Sequence, residues 1–135
     1  DLVTTLNIDT SIEFDCRFVP DSEITNLIQS ADILAFPYRA IDASGVLMLA
    51  LGFGKPMVAS SLGVFQEILV DGTHGSLVPP NDYRALAEAL KTLIENPQKR
   101  LQAGAAVKEL ALSIPTWRDI AQKTEALYQR CARGS

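Results

Sequence analysis

Three short apolar runs, at 33–36 (ILAF), 57–60 (MVAS) and 76–78 (SLV), alternate with helical patterns between Pro20 and Asp82. The runs are continuous rather than alternating, as in strands covered on both faces. Strands separated by short helices and short loops must run parallel, with right-handed crossovers. This dictates an open, doubly wound, Rossmann-like α/β sheet and excludes a helical bundle or a sandwich. Upstream, residues 12–18 (IEFDCRF) alternate apolar and polar side chains over their first five positions, which predicts one more strand at 12–16 with a single buried face.

The helices are marked by their caps and stripes. "PDSEITNLIQSAD" offers Asp21 or Ser22 as N-cap and places Ile24, Leu27 and Ile28 on one face. A short helix is expected from about Ser44 to Phe53, and a single turn of helix at "VFQEIL", ended by Asp71 and Gly72. After Pro80 only helices follow. The first carries Tyr83, Leu86, Ala87, Leu90, Leu93 and Ile94 on one stripe; the second starts at Pro97, with Gly104 as a weak point. The third, capped by Thr116, carries Trp117, Ile120, Leu127 and Tyr128 on one face, and the tail "ARGS" is expected to fray.

At 135 residues, 47% of them hydrophobic, the chain can bury one α/β core but not two. It reads as a single partial domain spanning 1–135, with the sheet and its crossovers at about 12–80 and the C-terminal helices at about 82–132. The net charge of −4, with lysines and arginines scattered, argues against a nucleic-acid partner. No apolar run reaches the roughly 18 residues that span a bilayer. Cys16 and Cys131 stand far apart without a C-x-x-C pair, a pattern of reduced thiols in an intracellular protein rather than of a disulfide or zinc site.

Ligands of open parallel sheets bind outside the carboxyl ends of the strands. Among those positions Ala43, Ser44, Gly45 and Val46 stand out. A glycine in the first helical turn lets a ligand reach the backbone, and free amides with the helix dipole favour an anion such as a phosphate or pyrophosphate. The alternative is an ordinary serine cap followed by a close-packing glycine.

In this order, "SADILAFPYR", "SGVLMLALGFGKPMVAS" and "GVFQEILVDGTHGSLVPPNDYRALAEAL" resemble the donor-binding domain of family 4 (group 1) glycosyltransferases, two-domain GT-B enzymes. The resemblance spans residues 14 to about 128 and is most specific over 54–90. It implies transfer of a sugar from a nucleotide diphosphate donor, UDP- or GDP-linked, to a hydroxyl of a glycan, lipid or protein acceptor, with retention and without a tightly held metal or other cofactor. It further implies that Ala43, Ser44, Gly45 and Val46 meet the donor phosphates, that Tyr38 lies in the donor-facing loop, and that Arg17 lines the nucleobase pocket, although a plain surface arginine fits Arg17 equally. The location implied is cytoplasmic, with the inner face of a membrane open to the full-length protein.

The chain departs from the family's pattern where two glutamates, eight residues apart, are expected: Ile41 and Leu49 stand there. Asp42, one position away, offers a carboxylate to the donor sugar or is a solvated loop residue. Losing both acids leaves open a non-catalytic binding or assembly module. Asp71, Gly72 and Gly75 fit the family's D-G-x-x-G turn, and His74 within it is expected on the surface. The resemblance also implies two strands before Asp1, so the strand at 12–16 is expected to be completed by the missing N-terminal part, by another copy of the chain in a homodimer or strand-swapped assembly, or by pairing elsewhere in the sheet.

Overall fold

The computed structural model describes residues 2–133. The chain runs through α1 (Leu2–Thr5), a 3-10 turn (Asp9–Ser11), α2 (Asp21–Ser30), β1 (Leu34–Phe36), α3 (Gly45–Leu51), β2 (Met57–Ser60), α4 (Gly63–Ile68), β3 (Gly75–Val78), α5 (Tyr83–Glu95), α6 (Pro97–Ser113) and α7 (Trp117–Arg133). The three strands form one parallel sheet in chain order, with Leu34 opposite Met57 and Met57 opposite Gly75.

Alternate residues of each strand face opposite sides of the sheet, and each side has its own apolar layer. On one, Phe36, Met57 and Ala59 meet Leu47 and Leu51 of α3, Phe65 of α4 and Val107 of α6. On the other, Val58 and Val78 meet Leu93, Leu90 and Ala89 of α5. The central strand β2 is accordingly buried at all four positions, as its unbroken apolar run requires. Gly75 fixes the start of β3: its φ is +134°, and a Cβ there would stand 1.8 Å from the Met57 carbonyl oxygen. No other residue allows this approach.

Several expectations are corrected. The segment 12–18 is not a strand: none of the three strands pairs with it, and Phe14 and Phe18 are exposed, Phe18 to 89%. Alternation supplies an apolar side, but a strand is completed by ladder hydrogen bonds to a neighbour, and pairing elsewhere in the sheet does not occur. For the same reason β1 is an edge, and Ala35 is exposed rather than covered on both faces, because α5 packs on β2 and β3. The α5 stripe is rotated to Ala85, Leu86, Ala89, Leu90 and Leu93, leaving Tyr83, Ala87 and Ile94 in solvent. In α2 the cap position is Pro20, whose carbonyl accepts from Glu23 and Ile24, and Leu27 is exposed. Gly104 lies within an unbroken α6, buried against the Gly54 carbonyl.

The third C-terminal helix forms as expected. Thr116 and Asp119 cap α7 reciprocally, the Asp119 carboxylate accepting from the Thr116 amide at 2.8 Å and the Thr116 hydroxyl accepting from the Asp119 amide at 3.2 Å. The Thr116 hydroxyl also donates to the Asp119 carboxylate at 2.7 Å, and this bond first, then that from the Thr116 amide, holds the Asp119 carboxyl below its usual range. The helix continues through Ala132 and Arg133, past the expected start of fraying; Gly134 and Ser135 lie outside the described residues. Its stripe is bare, with Trp117 exposed to 86%.

Candidate functional site

The loops after β1, β2 and β3 converge at the carboxyl end of the sheet. The first, residues 37–44, leads into α3. Ser44 is extended, with φ −139° and ψ 106°, and its Oγ accepts from the Leu47 amide at 3.1 Å. This N-cap, 8% exposed, is worth about 1 kcal/mol to the helix. It leaves the amides of Gly45 and Val46 in the first helical turn, where the helix supplies no acceptor. Both residues are exposed, as is Ala43.

The same loop is tied to the β2–α4 connection. The Asp42 carbonyl accepts from the Val64 amide at 3.2 Å. Gly63 makes room for this: its φ is +43°, and a Cβ would lie 2.3 Å from the Ile41 carbonyl oxygen and 3.0 Å from that of Asp42. The Ile41 side chain turns down against the core layer of Phe36 and Phe65, while Asp42 stays exposed. Leu49, at the other position where an acid is expected, is exposed on α3.

The remaining predicted residues are placed otherwise. The Tyr38 ring packs on Phe36 and Phe65, at centroid distances of 6.5 and 5.7 Å, and so forms the floor beneath the loop. The Arg17 guanidinium pairs with Asp15 at 3.1 Å and with Glu23, and these partners raise its pKa further, Glu23 first. Arg17 does not line the cavity at the strand ends.

That cavity, about 250 Å³, lies between the β1 loop (Pro37, Arg39), the end of β2 (Ser60) and the β3–α5 connection (Pro79, Asp82, Tyr83). The Asp82 carboxylate is committed to capping α5, accepting from the amides of Arg84 and Ala85 at 3.1 and 2.9 Å. Ser44, Gly45 and Val46 border the loop but not the cavity. Arg39 and Ser60 fall within the strand-end segments 37–45 and 60–65 where the sequence places ligands, but neither was singled out as a site residue. Arg39 is the cation of this site.

His74 is a correction of another kind. It is buried, and its Nδ1 accepts from the Val70 amide at 2.9 Å. Asp71 closes the same turn, its carboxylate accepting from the Leu77 amide at 2.8 Å. Burial holds the His74 pKa below its ordinary value. The imidazole is a neutral structural acceptor at the end of the sheet opposite the cavity, where β3 begins.

The profile of a family described as "Glycosyl transferases group 1" matches residues 3–96. The chain is 35% identical over 109 residues to a D-inositol 3-phosphate glycosyltransferase of Corynebacterium diphtheriae, covering 81% of this chain and 25% of that protein. It is 34% identical over 115 residues to a phosphatidyl-myo-inositol mannosyltransferase of Mycobacterium leprae, covering 84% and 30%. The chain thus spans roughly a quarter to a third of the length of the curated relatives it matches. Among solved structures it superposes on sucrose-phosphate synthase from Thermosynechococcus elongatus with a TM-score of 0.85 at 25% identity, over 99% of this chain and 33% of that one. On Anabaena HepE in complex with UDP-glucose the TM-score is 0.81 at 26% identity, over 94% and 35%.

Proposed function

The chain belongs to the group 1 glycosyl transferases and shares the Rossmann-like fold of their GT-B structures, and on that premise we propose that the protein carrying it moves a sugar from a nucleotide diphosphate donor to a hydroxyl acceptor, with residues 1–135 forming part of the donor-binding domain. The observation that carries this reading is the capped N-terminus of α3, set at the carboxyl end of the sheet on a loop that is anchored to α4 and whose first residues, Pro37 and Arg39, line a cavity. The related structure of HepE holds UDP-glucose, which supports a nucleotide sugar as the ligand.

Charge grows on the departing diphosphate as the glycosidic bond breaks. Amide donors at Gly45 and Val46, oriented by the Ser44 cap and needing no rearrangement, stabilise that charge in the transition state. Arg39 adds a positive charge from the other side of the same loop. Asp42, exposed and fixed through its own carbonyl, is the carboxylate available to the donor sugar. Ile41, turned into the core, and Leu49 have no group that can replace the two acids, so the backbone carries more of the catalysis than in a site with both. The transfer proceeds with retention and without a tightly held metal. UDP or GDP serves as the leaving group, the acceptor is held by the N-terminal part of the same protein, and the full-length enzyme works in the cytoplasm, at or near the inner face of a membrane.

Calorimetric titration of the full-length protein with UDP- and GDP-sugars tests the reading. Gly45→Trp is the informative variant, because a Cβ at Gly45 meets nothing within 4 Å and the bulk added there lies on the face offered to the donor; a thermal melt of the variant checks that it folds. Donor affinity should fall at least about tenfold, which is about 1.4 kcal/mol. Absence of binding by any nucleotide sugar would overturn the proposal; turnover untouched by Gly45→Trp would remove the α3 N-terminus from the donor site, and donor binding without any sugar transfer would instead favour the non-catalytic module that the loss of both acids suggests.

A further inference from the structure

A second groove, about 560 Å³, lies at the opposite end of the sheet, between the α3–β2 turn (Gly54, Lys55, Pro56) and the first three turns of α6. Three cations line it, Lys55, Arg100 and Lys108, against one carboxylate, Asp32. Two of the three are pinned by carbonyls: Lys55 Nζ donates to Gln29 at 2.8 Å, and one Arg100 nitrogen donates to both Leu93 and Ile94 at 2.7 Å. Lys108 is laid along Gly54 by its methylenes. Among the described residues none of the three pairs with a carboxylate within 4.0 Å, Asp32 included, since the ion pairs found there both belong to Arg17.

Lys55 and Arg100 thus sit at the carbonyl ends of α2 and α5, where the helix dipoles favour a cation, and Lys108 is the cation of the groove left without such a carbonyl. The 17-residue helix α6 also starts in this groove, at Pro97; the Asn96 side chain already caps the Lys99 amide at 3.0 Å, so the helix contributes the positive end of its dipole rather than a free amide. Cations and dipole therefore agree in sign. We propose that this groove is a phosphate-binding site, separate from the donor loop, for a phosphate ester whose organic body rests on Pro56, Pro97 and Leu101. The ester is either a free phosphorylated molecule or the headgroup of a membrane lipid, and the three cations recognise the same group in both. The proposal does not depend on the donor reading, because the groove opens at the other end of the strands.

The test uses the full-length protein carrying Gly45→Trp, which weakens the donor loop, and assigns binding to the groove by its response to Lys108 rather than by its presence. Inorganic pyrophosphate should bind saturably, with amide shifts at Gly54, Lys55 and Arg100, and the affinity should weaken as salt is added. Lys108→Glu should reduce it at least about tenfold, Lys108→Gln by a smaller factor, and Asp32→Asn should strengthen it. In a second arm, vesicles of phosphatidylcholine with and without phosphatidic acid are sedimented with the protein. Pyrophosphate binding sensitive to Lys108 without vesicle binding identifies a free phosphate ester; co-sedimentation that needs phosphatidic acid and is lost in Lys108→Glu identifies a lipid headgroup. Binding in neither arm, or binding that Lys108→Glu leaves unchanged, overturns the site.

Discussion

The stretch 12–18 and the strand β2 are both short and rich in apolar side chains, yet one is bare and the other is buried at every position. β2 has a strand on either side and helices on both faces, with α3, α4 and α6 against one and α5 against the other. Residues 12–18 have no strand beside them and no apolar layer. Alternation in the sequence states which side of a segment is apolar, but only neighbours make that segment a strand. The loops obey the same rule: residues 37–44 gain their shape from Gly63 and Val64, outside the loop.

The largest effect should come from the packed region. Phe65 is fully buried and touches the rings of Phe36 and Tyr38, at 5.3 and 5.7 Å. Phe65→Ala should lower the unfolding free energy by about 3–5 kcal/mol, read as a drop in the urea midpoint. A loss below about 1 kcal/mol would mean that this layer is no better packed than the exposed stretch, and the contrast would fail.

Next in size is Gly63→Ala. An added Cβ would collide with the Ile41 carbonyl in a backbone conformation that L-residues avoid, costing on the order of 1–3 kcal/mol. To relieve the collision the loop must move, taking Asp42 and the Ser44 cap with it. Thermal denaturation should therefore show a lower midpoint, and calorimetry a weaker nucleotide-sugar affinity, in the same variant. A stability loss with donor affinity unchanged would separate loop anchoring from donor binding.

These two residues also show how far the sequence reaches. The strands at 34–36, 57–60 and 75–78 and the helices after Pro80 follow from apolar runs and breakers that act locally. Ser44 was legible as a cap for the same reason, because a serine before an apolar turn bonds within its own helix. The anchoring of Asp42 by Val64, the packing of Tyr38 on Phe65 and the burial of His74 were not legible. Each depends on a partner brought by tertiary contact or on the way β3 enters the sheet. The false strand at 12–16 errs in the opposite sense, since its local pattern is sound and no strand lies beside it.

A smaller effect should appear with pH. His74 is buried and neutral, with a pKa below its ordinary value, so the unfolded chain binds a proton there more readily than the folded one. Stability is then fully present above the ordinary imidazole pKa of about 6.5 and declines as pH falls below it. Protonation would also break the bond from the Val70 amide. Melting temperatures measured between neutral and mildly acidic pH should fall, and His74→Gln should flatten that slope even if it lowers the curve as a whole. An equal slope in the variant would assign the pH dependence to other groups.

The smallest effect is expected at Phe14. It is largely exposed, outside both apolar layers and without a strand partner, so replacing it removes little area that folding takes out of water. Phe14→Ser should change the unfolding free energy of the 135-residue chain by no more than about 0.5 kcal/mol, against the several lost at Phe65. The same substitution in a protein that carries these residues behind an N-terminal part of the length found in the curated relatives gives the sharper reading. If residues 12–18 become a strand there, paired with a neighbour and covered on one face, Phe14 becomes a core residue and its loss should cost about 2–4 kcal/mol. A large cost in the longer protein and almost none in the shorter one would show that the neighbour, and not the alternation, decides this segment's structure. Equal and small costs in both would mean that 12–18 remains a surface connection wherever the chain is found.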